Sequence, residues 1–117
     1  MHRYKDLKLW QLSRAFCTDI YIITKSFPID EKFGLISQLR RAVVSIPSNI
    51  AEGAARSSNK DFKRFLRISL GSCYEIETQL LISFDLGFLE KEELEKLNNT
   101  LQQIIKMMSK FNSSLKI

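Results

Sequence analysis

The feature that most restricts the fold is a series of seven apolar side chains between residues 94 and 115. They recur at alternating intervals of three and four residues, which is the repeat of one face of an α-helix. A face of this length predicts an amphipathic helix that has to be buried against other elements. The seven residues are Leu94, Leu97, Leu101, Ile104, Met108, Phe111 and Leu115.

Three earlier stretches carry the same helical repeat. The first predicts a helix over residues 5–26, which ends at Phe27 because the residue before Pro28 is pushed out of the α region. The second predicts a helix that has Asp30 and Glu31 in its first turn. The repeating faces are formed by Leu9, Leu12, Phe16, Ile20, Ile23 and Phe27, by Ile36, Leu39, Val43, Ile46 and Ile50, and by Phe62, Leu66, Ser69, Cys73, Ile76 and Leu80.

The boundaries of the later helices are marked by capping residues. The second helix is predicted to end near Ala55, and Ser58 or Asn59 is predicted to cap the third. Gly87 has the position of the left-handed residue that follows a helix end. Because the connections are short, consecutive helices are expected to be antiparallel neighbours. The predicted fold class is all-α, with residues 1–117 forming one up-down-up-down four-helix bundle domain.

Pro47 falls in the middle of the second helix, where it removes one backbone hydrogen bond at a cost of roughly 3 kcal/mol. We expect a kink there, and two shorter helices are the alternative. Gly53 in the second helix and Gly71 in the third each cost about 1 kcal/mol relative to alanine. Such glycines indicate the close approach of another backbone, either within the bundle or across a subunit contact.

Polar side chains on the second helix recur at intervals of four, three, four and four residues, so they share one face. We expect Asn49 and Glu52 to hold the kinked helix through hydrogen bonds and through a pair with Arg41 or Arg56. The face is either a solvated stripe or a contact with another subunit or a ligand. It consists of Arg41, Ser45, Ser48, Glu52 and Arg56, beside Asn49.

The third helix has more apolar side chains than one bundle core can bury. The second helix adds Leu35 and Val44. Self-association would cover this surface, and the alternative is that loops or terminal segments cover it; the pattern favours an oligomer. The additional apolar residues of the third helix are Phe65, Ile68, Leu70, Tyr74, Leu81 and Ile82.

Positive charge is concentrated where the second helix gives way to the third. The chain has a net charge of +5, and five cations but only one acid, Asp61, fall between residues 56 and 67. A phosphate backbone is the ligand that such a basic face suits, and without a base-reading motif we expect weak, sequence-tolerant binding of RNA or DNA. The candidate nucleic-acid-binding residues are Arg56, Lys60, Lys63, Arg64 and Arg67, with Arg40 and Arg41 as an extension.

Patterns typical of catalysis do not occur in the sequence. The single histidine, His2, excludes histidine-based triads and paired Glu-x-x-His metal motifs. Cys17 and Cys73 form no CxxC pair and are interpreted as small buried thiols. We therefore expect a protein that is not an enzyme and has no metal or cofactor. No apolar run reaches the length of a membrane span and no signal peptide is recognisable, so a cytoplasmic location is expected.

The segment from Ser37 to Gly53, SQLRRAVVSIPSNIAEG, resembles the hallmark of the four-helix bundle proteins encoded in intervening sequences of bacterial 23S rRNA genes. The segments 65–72 and 75–80 are similar to the third-helix pattern of that family. The resemblance covers nearly the whole chain, and its most specific part contains Pro47, Asn49, Glu52 and Gly53. It implies an up-down bundle that assembles as a cyclic homopentamer, and no enzymatic activity comes with the resemblance.

The resemblance also implies a relation to accessory proteins of diversity-generating retroelements, which bind nucleic acid and a reverse transcriptase. Two function classes remain open. One is a nucleic-acid-binding homo-oligomer that supports an RNA or a retroelement enzyme. The other is a protein-interaction scaffold whose charge is only surface chemistry. A ring of positive charge in the assembled oligomer favours the first class. Scattered charge, or a basic face hidden in subunit contacts, favours the second.

Overall fold

The structure is a computed structural model that describes residues 2–117. Two short 3₁₀ turns, Tyr4–Asp6 and Ile29–Glu31, precede the first and the second helix. No β-strand occurs within the described residues, so the predicted all-α class is confirmed. The four helices are α1 (Lys8–Thr24), α2 (Leu35–Ala54), α3 (Asn59–Asp85) and α4 (Lys91–Ser114).

The first two helices are shorter at their N-terminal ends than predicted. Leu7 has an extended backbone between the first 3₁₀ turn and α1, so α1 begins at Lys8 instead of residue 5. Asp30 and Glu31 lie in the second 3₁₀ turn and not in the first turn of α2. Glu31 still serves that helix, because its carboxylate accepts a hydrogen bond of 3.1 Å from the backbone N–H of Leu35.

Both predicted caps of α3 are present. The Ser58 hydroxyl accepts a hydrogen bond of 3.1 Å from the N–H of Asp61, which identifies Ser58 as the N-cap. At the other end Gly87 has a φ of 82°. The N–H of Gly87 donates to the carbonyl of Phe84 and that of Phe88 to the carbonyl of Ser83, both at 2.9 Å. These two bonds form a Schellman motif, which satisfies carbonyls at the helix end.

The helices pack in a ring in which α1 contacts α2 and α4, and α3 contacts α2 and α4. The Ser69 hydroxyl of α3 donates to the carbonyl of Ile46, and Gln79, further along α3, donates to Gln38, earlier in α2. The contacts therefore run in opposite directions along α2 and α3, as antiparallel packing requires. The up-down order of the complete bundle stays a prediction.

The four predicted apolar faces form the core. Fully buried side chains come from each helix. The members of these faces that are only partly buried are Leu12, Ile23, Ile36, Leu94 and Phe111. Among the largest fully buried side chains are Phe16 and Ile20 from α1, Ile46 and Ile50 from α2, Leu66 and Ile76 from α3, and Leu101 and Ile104 from α4.

Helix α2 continues through Pro47 without interruption from Leu35 to Ala54. The alternative of two shorter helices is therefore wrong, and the kink itself stays a prediction. Because the helix is continuous, Arg41 near its beginning is held far from Arg56, which follows its end.

Candidate functional site

The basic face, defined as Lys60, Lys63, Arg64 and Arg67, lies on the first three turns of α3. Capping by Ser58 starts the helix just before Lys60, so these side chains project from the corner where α2 meets α3. Lys63 is partly buried and the other three are exposed. The structure thus brings these four residues together on one part of the α3 surface.

Two arginines at this corner share an aromatic side chain. The guanidinium carbons of Arg56 and Arg64 lie over the ring of Phe65, 4.7 Å and 4.8 Å from its centre. Phe65 itself is only 7% exposed, so the arginines cover it. Cation–π contacts of this kind hold a guanidinium in position without occupying its N–H donors. The two groups are therefore oriented and still able to bind an anion.

The carboxylates beside these arginines bind them weakly. Glu52 lies 3.5 Å from Arg56 and Asp61 lies 3.9 Å from Arg64, measured between nitrogen and oxygen atoms. Each of the four side chains is between 42% and 58% exposed. Ion pairs at such exposure contribute about 0–1 kcal/mol, so a phosphate can replace the carboxylates at little cost.

Arg40 and Arg41 do not extend the basic face. The Arg40 guanidinium stacks on Tyr21 at 4.6 Å and donates to the Thr24 hydroxyl, which turns it toward α1. Arg41 is exposed, but it lies 13 residues before the end of α2 at Ala54, about 20 Å along the axis from the corner where Arg56 follows. The structure thus places both residues apart from the basic face, because α2 continues through Pro47 without interruption. Their part in nucleic-acid binding stays a prediction.

The hydrogen bond that Pro47 cannot donate is replaced by one from a side chain of the neighbouring helix. Proline has no N–H, so the carbonyl of Val43, four residues earlier, has no helical donor. The Cys17 thiol of α1 donates to this oxygen at a sulfur–oxygen distance of 3.3 Å. Burial raises the pKa of the Cys17 thiol to about 11, partly offset by a hydrogen bond from its own backbone, so the group keeps its proton at neutral pH.

The second cysteine lies deeper in the bundle. Cys73 is fully buried on the core face of α3, as predicted for a structural thiol. Burial raises its pKa to about 12, with a further contribution from the negative charge of Glu77. Among the described residues, no group of three or more His, Cys, Asp or Glu side chains has the geometry to hold a metal ion.

The polar face of α2 meets α3 through a chain of hydrogen bonds. Asn49 donates its amide to the carbonyl and to the hydroxyl of Ser45, at 2.8 Å and 2.9 Å. The Ser45 hydroxyl also accepts from the Ser72 hydroxyl of α3 at 2.9 Å. Further along α3, the Gln79 side-chain amide donates to the side chain of Gln38 at 3.4 Å, while the side-chain oxygen of Gln79 is buried without a donor. Asn49 therefore has hydrogen bonds within the subunit, as expected.

Glu52 differs from Asn49 because its side chain is 58% exposed. Its contact is with Arg56, one of the two predicted partners, and Arg41 is not involved. An exposed i,i+4 pair holds a helix only slightly. The acid of this motif thus has no strong structural role within one subunit.

Gly53 lies where α2 packs tightly against α3. A β-carbon added there would lie 2.8 Å from both Phe62 and Phe65, closer than packed atoms allow. The predicted close approach is confirmed and lies within the bundle. Gly71 is different, because a β-carbon there would meet nothing within 4 Å.

Several of the additional apolar side chains of α3 remain in contact with solvent. Ile68, Tyr74, Leu81 and Ile82 are each 44–51% exposed, whereas Phe65 is buried. No segment of the described chain covers these four. Val44 of α2 is likewise 42% exposed.

The polar contacts between α1, α2 and α3 are not evident in the sequence. Cys17 and Val43, like Ser45 and Ser72, are more than 25 residues apart, and only the relative register of two helices brings them together. The sequence pattern places Phe65 in the excess apolar surface of α3. In the sequence, only its position next to Arg64 indicates a contact between Phe65 and an arginine. The contact with Arg56 depends on the packing of α2 against α3.

One family model matches nearly the whole chain. A model of the 23S rRNA-intervening sequence proteins matches residues 5–110. The chain belongs to this family.

A solved structure supports the assignment of the chain to this family. It is a crystal structure described as a protein with unknown function from the S23 ribosomal protein family of Bacteroides thetaiotaomicron. The two chains are 25% identical with a TM-score of 0.81, and the alignment covers 91% of this chain and 99% of that chain. A comparison with curated proteins gives no match. Neither the family description nor that of the crystal structure names an enzymatic activity.

The helices of this 23S rRNA-intervening sequence protein do not meet the requirements for a membrane span. Within residues 2–117 none of them combines the necessary length with the necessary apolar character.

Proposed function

We propose that this 23S rRNA-intervening sequence protein is a non-enzymatic homo-oligomer that binds RNA or DNA electrostatically through the corner between α2 and α3. The observation that carries the proposal is the pair of guanidinium groups held over Phe65 beside the exposed Lys60 and Arg67. Oriented guanidinium groups next to an exposed lysine suit phosphate oxygens, which Arg binds in bidentate fashion. Such contacts fix a nucleic acid by its backbone and carry no sequence information.

Self-association is the second part of the proposal. It rests on the four half-exposed apolar side chains of α3 and on Gly71, whose surroundings are open in the single chain. A flat surface with apolar side chains and a glycine allows the helix of another subunit to approach closely. Five subunits are the number that the family resemblance favours. Repetition of the basic face around a ring adds avidity to contacts that are weak individually.

Binding can be tested by reversing the charge of the two exposed cations that do not cover Phe65. The variant carries Lys60→Glu and Arg67→Glu, and the control carries Lys25→Glu and Lys91→Glu, which change the net charge equally at exposed positions of the other end. Fluorescence anisotropy is measured with a labelled single-stranded RNA and with a DNA duplex of the same sequence at about 50 mM salt, where the electrostatic contribution is large.

The Lys60/Arg67 variant is expected to bind several sequences equally weakly, and the control is expected to keep most of its affinity. Removal of each phosphate contact reduces the slope of log affinity against log salt by about 0.7 on single strands and about 0.9 on duplex DNA. If the wild-type protein binds neither probe, the scaffold function replaces this one. If the variant dissolves the oligomer, the basic face belongs to a subunit contact instead.

A further inference from the structure

The two ends of the bundle differ strongly in charge. Residues 2–8, 52–67 and 106–117 together contain eleven lysines and arginines but three acids, whereas the rest of the chain contains seven cations and ten acids. The first group therefore has a net charge of +8 and the remainder a net charge of −3. The overall charge of +5 conceals this separation.

The three basic segments lie side by side at one end of the bundle. The ring of His2 is 5.5 Å from that of Phe62 on α3 and 5.4 Å from that of Phe111 on α4. Phe62 and Phe111 are themselves 5.4 Å apart, and the Asn59 side chain donates to the carbonyl of Lys116 at 2.6 Å. Segments that are distant in the sequence are thus joined by an aromatic cluster and a hydrogen bond.

Cations line two grooves at this end of the bundle, in addition to the basic face of α3. Lys8 and Lys110 line one groove of about 400 Å³ between α1 and α4. Arg3 and Lys5 line another, of about 340 Å³, against the last turn of α2. We call this end the basic pole; it consists of Arg3, Lys5, Lys8, Arg56, Lys60, Lys63, Arg64, Arg67, Lys106, Lys110 and Lys116.

Most charges of the basic pole are available to a ligand. Its acids are Asp6, Glu52 and Asp61, and each contacts one arginine at 3.4–3.9 Å on the exposed surface. Within the described residues the other eight cations have no carboxylate within 4 Å. Ten of the eleven are exposed, and Lys63 is partly buried.

The chemistry of the basic pole fits a nucleic acid better than a lipid surface. Proteins that lie on membranes place exposed apolar side chains beside their cations. Here the most exposed large apolar side chains of the α1–α2 and α3–α4 connections, Ile29 at 84%, Phe33 at 88% and Leu86 at 56%, belong to the opposite end. Among the described residues of the basic pole, Ile117 alone is a large and strongly exposed apolar side chain.

We propose that the nucleic-acid-binding surface is the entire basic pole, and that residues 2–8 and the last two turns of α4 contact phosphates together with the α3 face. This inference rests on the proposed function and extends its site. A single helix face reaches a few phosphates on one side of a strand. A pole with cations on the N-terminal segment, α1, α3 and α4 allows a strand to cross the end of the bundle and contact several helices.

The test uses three lysines that lie outside the α3 face. The pole variant carries Lys5→Glu, Lys8→Glu and Lys110→Glu, all at exposed positions. The matched control carries Lys25→Glu, Lys32→Glu and Lys91→Glu, which are also exposed and lie at the opposite end. Both change the net charge equally, so a difference between them reports position. The probes are a labelled single-stranded RNA of uridines and vesicles that contain phosphatidylserine.

The pole variant is expected to bind the RNA at least tenfold more weakly than the control at about 50 mM salt. Its salt slope is expected to be smaller by about 2, because each of the three phosphate contacts that no longer form contributes about 0.7. Two outcomes overturn the extension and leave the proposed function intact. In the first, the pole variant and the control lose the same affinity. In the second, the pole variant binds as tightly as the wild type, while Lys60→Glu with Arg67→Glu abolishes binding. Absence of wild-type RNA binding overturns both. Vesicle binding without RNA binding identifies a membrane ligand and overturns the proposal.

Discussion

At the scale of single residues, the strongest local constraint on α2 is the missing N–H of Pro47. Its cost of roughly 3 kcal/mol in an ordinary helix comes partly from a carbonyl left without a donor. In this bundle the Cys17 thiol donates to that carbonyl, which belongs to Val43. Because the raised pKa keeps the thiol protonated, the donor is present throughout the neutral pH range.

Replacing Cys17 by alanine is expected to lower the free energy of unfolding by about 1–3 kcal/mol, because the Val43 oxygen is then buried without a donor. Cys17→Ser keeps a donor and is expected to be less destabilised. Urea unfolding of the two variants measures the difference. Equal stability of Cys17→Ala and Cys17→Ser would mean that the carbonyl finds another donor and that the thiol acts only by packing.

Gly53 and Gly71 are both helical glycines, but only Gly53 lacks space for a β-carbon. Gly53→Ala is expected to lower the free energy of unfolding by about 1–3 kcal/mol, because its β-carbon collides with Phe62 and Phe65. Gly71→Ala has open space and should raise stability by up to about 1 kcal/mol in the single chain through helix propensity. Thermal unfolding at low protein concentration tests both. A Gly53→Ala variant as stable as the wild type would contradict the close approach of α2 and α3.

At the scale of helices, the polar face of α2 divides into two parts. Ser45 and Asn49 form hydrogen bonds with each other, and Ser45 extends them to Ser72 on α3. Glu52 and Arg56 form an exposed pair at the last turn. Ser45 and Asn49 thus help to join α2 to α3, whereas Glu52 and Arg56 remain accessible to a ligand or another subunit.

Glu52→Gln is therefore expected to change the free energy of unfolding by less than about 0.5 kcal/mol, because an exposed i,i+4 pair contributes no more. Asn49→Ala is the contrasting variant and should cost about 1 kcal/mol or more through its two hydrogen bonds to Ser45. Denaturant unfolding distinguishes them. A decrease of several kcal/mol in Glu52→Gln would show that the carboxylate is buried in the assembled protein.

The helices themselves are predictable from the sequence because a buried face repeats every three or four residues. The spacing of Leu97, Leu101 and Ile104 identifies the core side of α4, and Ser58 and Gly87 identify both ends of α3. The direction of Arg40 is not predictable in this way, because it depends on Tyr21 and Thr24 of another helix. Local pattern thus specifies each helix, and only the register between helices specifies the site.

At the scale of the whole molecule, positive charge and exposed apolar surface adjoin each other on α3. The basic pole lies where α2 ends and α3 begins, and the exposed apolar side chains begin at Ile68, which directly follows Arg67, and continue to Ile82. Ile82 is 15 residues beyond Arg67, about 22 Å along the helix axis. A subunit contact centred on that part of α3 would leave most of the basic pole free for a nucleic acid.

Assembly through α3 can be tested with a pair of charge-introducing substitutions. Ile68→Glu with Ile82→Glu should convert the oligomer, five subunits by resemblance, into folded monomers, because carboxylates cannot be desolvated in an apolar contact without a partner. Ile22→Glu is the control, since Ile22 is 60% exposed on α1, outside the expected contact. Native mass spectrometry at low micromolar concentration gives the subunit number, and circular dichroism verifies that the variants are folded. A monomeric wild-type protein, or a control that dissociates as readily as the α3 variant, would rule out this contact, and the exposed apolar side chains of α3 would then have to bind a different partner.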